Sequence, residues 1–145
     1  VKLSPNFSLK ELAQSEYAER HGLNNEPDEK VIENLKRLAV LLEEVRTLSG
    51  TPIIVSSGYR SPQVNAGIGG SKTSQHMFGC AADIRALKMS IDDLMKKIVG
   101  SNIKYDQVIK EFNSWVHISI PNTPSAKPRM QKLVIDRAGT RTYTG

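Results

Sequence analysis

The chain has 145 residues, a single cysteine, 39% hydrophobic and 24% charged residues, and a formal net charge of +5. That length predicts one domain spanning residues 1–145 with a core that needs no staples, and the lone Cys80 excludes an intrachain disulfide. No apolar run approaches the roughly 20 residues that cross a bilayer, and the basic residues are scattered without aromatic interleaving, so neither membrane insertion nor nucleic-acid binding is expected.

The start Val1-Lys2-Leu3-Ser4-Pro5 carries no apolar leader, which predicts synthesis in the cytoplasm. Ser8 and Glu11 fit a capping box, with Phe7 and Leu12 as a staple, and open a helix expected to reach about Arg20. His21-Gly22 reads as its end, which gives His21 a structural role. A second helix is expected from Pro27-Asp28 to Ser49-Gly50. Val31, Ile32, Leu35, Leu38, Ala39, Leu42 and Val45 form its apolar stripe, and Glu33, Lys36, Arg37, Glu43, Glu44 and Arg46 its solvated face.

Thr51 to Ser57 is rich in β-branched residues and reads as a buried strand. Ser61-Pro62 then starts a short helix to Ile68, followed by a glycine-rich loop. Ala81 to Ile84 reads as a strand and Ser90 caps a helix ending at Gly100. Two strands, Tyr105–Phe112 and Trp115–Ile120, are expected around Asn113-Ser114. The basic remainder, 121–145, is read as an extension of a core at about 3–120, with a terminal hairpin about Ala138-Gly139. Helices first and strands later predict an α+β fold with a small antiparallel sheet packed against the N-terminal helices.

His76, Asp83 and His117 are the residues that suggest chemistry. Two imidazoles and a carboxylate suit a catalytic zinc if a fourth position stays open. Gly79-Cys80-Ala81-Ala82 lacks bulk, so the chain can turn Asp83 back toward His76, and His117 sits on an apolar strand that aims it. One carboxylate with Zn²⁺ leaves a site charge of +1, which lowers the pKa of a bound water. Taken singly, each histidine also fits a half-buried structural role and Asp83 a cap, and spacing alone leaves both readings open.

Ser56-Ser57-Gly58-Tyr59-Arg60-Ser61-Pro62, Asn65, Gly69-Gly70, Ser74-Gln75-His76-x-x-Gly79-x-Ala81-Ala82-Asp83-Ile84 and Trp115-Val116-His117-Ile118-Ser119 together resemble the zinc D-alanyl-D-alanine carboxypeptidase family. That family includes phage endolysins that cut peptidoglycan stem peptides, and Leu3-Ser4-x-Asn6-Phe7 is similar to its phage and bacterial branch. The resemblance covers Leu3 to about Ile120. It implies one zinc ion held by His76, Asp83 and His117, peptidoglycan peptides as substrate, and a monomeric hydrolase that acts on the cell wall. It also implies that Arg60 stabilises the developing oxyanion, with Tyr59, Ser74 and Gln75 near the substrate.

Many members of that family carry Glu or Asp three residues before the last histidine as the general base; here Ser114 stands there. Glu111 resembles the glutamate that this branch places after its Tyr-Asp-Gln segment, and Asp106 is the alternative. A three-residue loop, Asn113 to Trp115, sets Glu111 opposite His117, whereas a two-residue loop, Asn113-Ser114, turns it away. Two other readings compete: a hydrolase that uses Cys80 or a serine with His76, and a non-catalytic zinc module that binds cell wall.

Overall fold

A computed structural model describes residues 1–144. The N-terminal segment departs from the single helix expected there. β1 (Lys2–Ser4) and β2 (Phe7–Ser8) form a two-stranded sheet, followed by α1 (Leu9–Ala13) and α2 (Glu16–His21). The Ser8/Glu11 capping box is present, but Ser15 accepts a bond from the Ala18 N–H and starts a new helix, so the chain turns at Gln14-Ser15. His21 stacks on Tyr17 with ring centroids 4.1 Å apart, in the structural role expected of it.

α3 (Glu29–Ser49) has Asp28 as N-cap and Gly50 as C-cap. Leu35, Leu38, Ala39, Leu42 and Val45 are fully buried, as the apolar stripe predicts. Its polar face is less solvated than expected. Glu43 accepts bonds from Ser4 Oγ (2.6 Å), Asn6 N (2.7 Å) and Asn6 Nδ2 (2.7 Å), which pin the β1–β2 sheet to the helix. Arg37 Nη2 donates to the Pro121 carbonyl at 2.9 Å.

The main sheet contains β3 (Ile53–Ser57), β4 (Ala81–Ala86), β5 (Gln107–Glu111), β6 (Trp115–Ser119), β7 (Gln131–Asp136) and β8 (Gly139–Thr142), in the order β3-β4-β6-β5-β7-β8. α4 (Pro62–Ile68) and α5 (Ile91–Val99) complete the α+β fold. The sheet is mixed rather than antiparallel, because β7 lies parallel to β5. After Ile120 the chain loops outward and re-enters on the side of β5 away from β6. The β7–β8 hairpin forms as expected, and it extends the main sheet.

Strand alternation separates the two sides of this sheet. Ala82, Ile84, Val108, Val116 and Ile118 are fully buried in the core with residues of α3 and α5. Each fully buried Val, Leu or Ile contributes about 1.5–3 kcal/mol. On the same side Lys110 pairs with Asp92 of α5 at 3.1 Å. Register puts Asp83, His117, Ile109 and Glu111 on the opposite side.

Candidate active site

Asp83 on β4 and His117 on β6 are direct cross-strand partners, and His117 Nδ1 lies 3.0 Å from Asp83 Oδ1. His76 arrives from a one-turn 3-10 helix (Gln75–Phe78), whose N-cap Ser74 accepts a bond from the His76 N–H. Gly79 ends that turn with φ 74°, and a Cβ there would strike Val31. This close approach brings the His76 loop onto α3 and leads the chain into β4.

The His76 ring is 2% exposed. Its Nδ1–H donates to the Gly58 carbonyl at 2.7 Å, which fixes the tautomer and leaves a bare lone pair on Nε2. Gly58 has no room for a side chain, because a Cβ would strike the Leu12 carbonyl. Nε2 lies 3.3 Å from Asp83 Oδ1 yet has no well-directed hydrogen-bond partner. Two acceptors at that distance repel unless a cation lies between them.

The donor atoms of His76, Asp83 and His117 lie within 4.8 Å of one another, so the group can hold a metal ion. Tetrahedral zinc with ligands at about 2.1 Å sets neighbouring ligand atoms roughly 3.4 Å apart, and the 3.0 and 3.3 Å separations fit that spacing. Burial pushes the Asp83 pKa up, but the His117 hydrogen bond and the nearby imidazoles outweigh it and hold the carboxyl well below the usual range. Burial lowers the His76 pKa, against the pull of Asp83. Both shifts favour the forms that bind metal: an ionised carboxylate and a neutral imidazole.

Glu111 reaches this side of the sheet by a register that neither foreseen loop describes. The loop is Phe112–Ser114, and Glu111 pairs with Trp115 while Ile109 pairs with His117. Phe112 and Asn113 both take φ 52°, and the Ser114 N–H closes the turn on the Glu111 carbonyl at 2.9 Å. A left-handed phenylalanine stores roughly 1 kcal/mol or more of strain. Glu111 therefore sits diagonal to His117, with Oε1 3.9 Å from Nδ1. Burial raises its pKa first and the Asp83 charge adds to the rise, partly offset by His117, Trp115 and Arg60.

The backbone N–H of Arg60 donates to the His76 carbonyl at 3.0 Å. Its guanidinium feels the charges of both Asp83 and Glu111, and its buried Nε has no partner among the described residues. Arg60, Ser74, Gln75, His76, Asp83, Glu111 and His117 line one cleft of about 1100 Å³. Gln75 Nε2 lies within bonding distance of the Ile120 carbonyl (2.8 Å), Asn122 Oδ1 (3.0 Å) and Asp106 Oδ2 (3.2 Å). Tyr59 departs from the expected substrate contact: its side chain is buried in the hydrophobic core, outside the residues that line the cleft. Its backbone ties β3 to α1 through a bond to the Leu12 carbonyl at 2.7 Å.

Compared with known protein families, residues 5–119 match the family described as peptidase M15. The chain belongs to that family. A search of curated proteins finds no match. This peptidase is accordingly a zinc-dependent metallopeptidase, and His76, Asp83 and His117 form a group in which its metal can sit. None of the described helices is long and apolar enough to cross a membrane.

Two competing residues in the peptidase have structural surroundings. Cys80 is fully buried, and burial raises its thiol pKa to about 11 despite Arg37 nearby. A thiol held protonated is a poor nucleophile. Cys80→Ala is expected to leave kcat/KM within about twofold of wild type, measured at equal zinc content.

Asp106 is 4% exposed and accepts from Arg129 Nε (3.1 Å to each oxygen), Nη2 (2.7 Å) and backbone N (3.0 Å). Burial alone would raise its pKa, but the Arg129 bonds win and lower it. Its oxygens are already committed, which makes it a poor proton acceptor. Because folding lowers its pKa, Asp106 contributes stability above the unfolded-chain value of about 4, and that contribution fades as pH falls through the folded value. Asp106→Asn is expected to cost roughly 1–3 kcal/mol at neutral pH in denaturant titrations, with a smaller difference from wild type in acid.

The sequence reading missed the Gly58 carbonyl, and it missed Pro121, Asn122, Lys127, Arg129 and Ile135 as cleft-lining residues. A carbonyl acceptor has no side-chain signature. The other five lie beyond the motif-bearing part of the chain.

Proposed function

We propose that this peptidase hydrolyses peptide bonds in the stem peptides of bacterial peptidoglycan, working as a monomeric single domain that includes the β7–β8 hairpin. In this reading His76 Nε2, Asp83 Oδ1 and His117 Nδ1 hold the zinc, Glu111 is the general base and Arg60 faces the developing oxyanion. The observation that carries it is the placement of Glu111: a half-buried carboxylate on the same side of the sheet as His117, 3.9 Å from a ring nitrogen of the metal-binding group.

When bound, zinc supplies a Lewis acid that polarises the scissile carbonyl and acidifies the attacking water. Glu111 accepts that water's proton and returns it to the departing amine. Arg60 presents its guanidinium to the oxygen that gathers negative charge. Gly58 holds the His76 ring in place, and Ser74 holds the turn that carries it. A cleft of about 1100 Å³ suits a peptide that continues past the cut bond, which favours endolysin-type endopeptidase action over removal of a terminal D-Ala. The protein would then be a phage or bacterial lysin, made in the cytoplasm and acting on the wall.

Mass spectrometry of fragments from purified peptidoglycan, with and without chelator, tests this reading. Chelator-sensitive release of peptides cut internally is expected. Loss of terminal D-Ala alone would reassign the enzyme as a carboxypeptidase, and release undiminished by complete metal removal would refute the zinc mechanism. Undigested peptidoglycan after incubation with wild type, with protein bound to the wall, would favour the non-catalytic module.

A further inference from the structure

The family match ends at residue 119, but the cleft does not: Pro121, Asn122, Ala126, Lys127 and Arg129 also line it. The segment is held at both ends. At its start, Gln75 Nε2 contacts the Ile120 carbonyl and Asn122 Oδ1. At its end, Arg129 grips Asp106, and the Met130 N–H donates to the Tyr105 carbonyl at 3.1 Å. Lys127 stands between these anchors.

Asp106 is paired with Arg129, Asp83 faces the two imidazoles, and Arg60 and Glu111 feel each other's charge. Lys127 makes no ion pair among the described residues. Residues 121–144 carry Lys127, Arg129, Lys132, Arg137 and Arg141 against the single acid Asp136, so they supply most of the net charge of +5. An unmatched ammonium on the wall of a peptide-binding cleft attracts an anionic group on the peptide.

We propose that residues 121–130 form the specificity wall of the cleft, and that Lys127 is a subsite for a carboxylate of the bound peptide. This rests on the peptidoglycan reading, since stem peptides carry free carboxylates along their length. Arg129 is a positioning residue here: its guanidinium is committed to Asp106 and fixes the loop that presents Lys127.

The test compares soluble stem peptides, freed from their glycan by an amidase, with the same peptides after carbodiimide amidation of their carboxylates. Lys127→Gln is expected to raise KM about fivefold on the carboxylate peptides, near the upper end of what an exposed ion pair contributes, with kcat unchanged. On amidated peptides the variant and wild type should have equal KM, and Lys127→Arg should behave as wild type on both. Lys127 is exposed and bonds to nothing described, so an unaltered melting temperature checks that the fold is intact. Equal KM for wild type and Lys127→Gln on the carboxylate peptides overturns the proposal, as does the same loss on both peptide sets. If the wild type cuts neither set, the peptidoglycan reading fails first and this proposal falls with it.

Discussion

The His76→Ala protein is expected to lose its stoichiometric zinc and, with it, measurable peptidase activity, while its circular dichroism stays that of wild type. The imidazole is held by one bond from Nδ1 to Gly58 and offers Nε2 to the metal-binding group. Removing it leaves Asp83 and His117, two donors where a catalytic zinc takes three. Loss of a partner outside the ligand set commonly costs 10–100-fold in metal affinity, so loss of a ligand should weaken zinc by more than about 100-fold. Atomic absorption on dialysed protein reads the metal directly, and added zinc should restore chelated wild type but not the variant. Full zinc occupancy in His76→Ala would remove this histidine from the ligand set.

Glu111→Gln is expected to lower kcat by about 10²–10⁴-fold with zinc content and fold unchanged, the range that a positioned general base supplies. The amide keeps the shape of the side chain but cannot accept a proton from water. Glu111 differs from Asp106 in what surrounds it. Four contacts from Arg129 hold Asp106 in its ionised form, whereas burial and the Asp83 charge make Glu111 more basic. Asp106→Asn should therefore lose stability while its folded fraction keeps most of its kcat. The reverse pattern, a fully active Glu111→Gln and a dead but folded Asp106→Asn, would transfer the role to Asp106.

Much of the helical framework is legible in the sequence, because its signals are local. Ser8, Asp28, Ser61 and Ser90 each cap the helix that follows them, and the α3 stripe is buried as its periodicity requires. The His76–Asp83–His117 group is legible because small residues and a rigid strand bring the three side chains together. What was not legible depends on contacts distant in the chain. The parallel alignment of β7 with β5 has no local signature, and the position of Glu111 turns on one unusual loop. Two consecutive non-glycine residues at positive φ, one of them Phe112, are not what turn statistics favour, so the observed register was not among those expected. Tyr59 departs from its expected position for a related reason. A tyrosine beside a conspicuous arginine looks like a ligand contact, but the bond from its N–H to Leu12 and the approach of Gly58 to α1 direct the ring into the core.

The parallel pairing of β5 with β7 also bears on how the molecule assembles. Parallel pairing depends on a long connection and is slow to form compared with a hairpin. Until residues 131–135 leave the ribosome, β5 has β6 on one side and bare backbone N–H and C=O groups on the other. Such an edge, with Val108 and Ile109 beside it, readily templates another chain. The nascent protein therefore passes through a stage in which β5 carries an uncovered edge, and the β7–β8 hairpin ends that stage by covering it. Truncation after Ile120 should make that stage permanent and yield insoluble protein rather than a smaller peptidase.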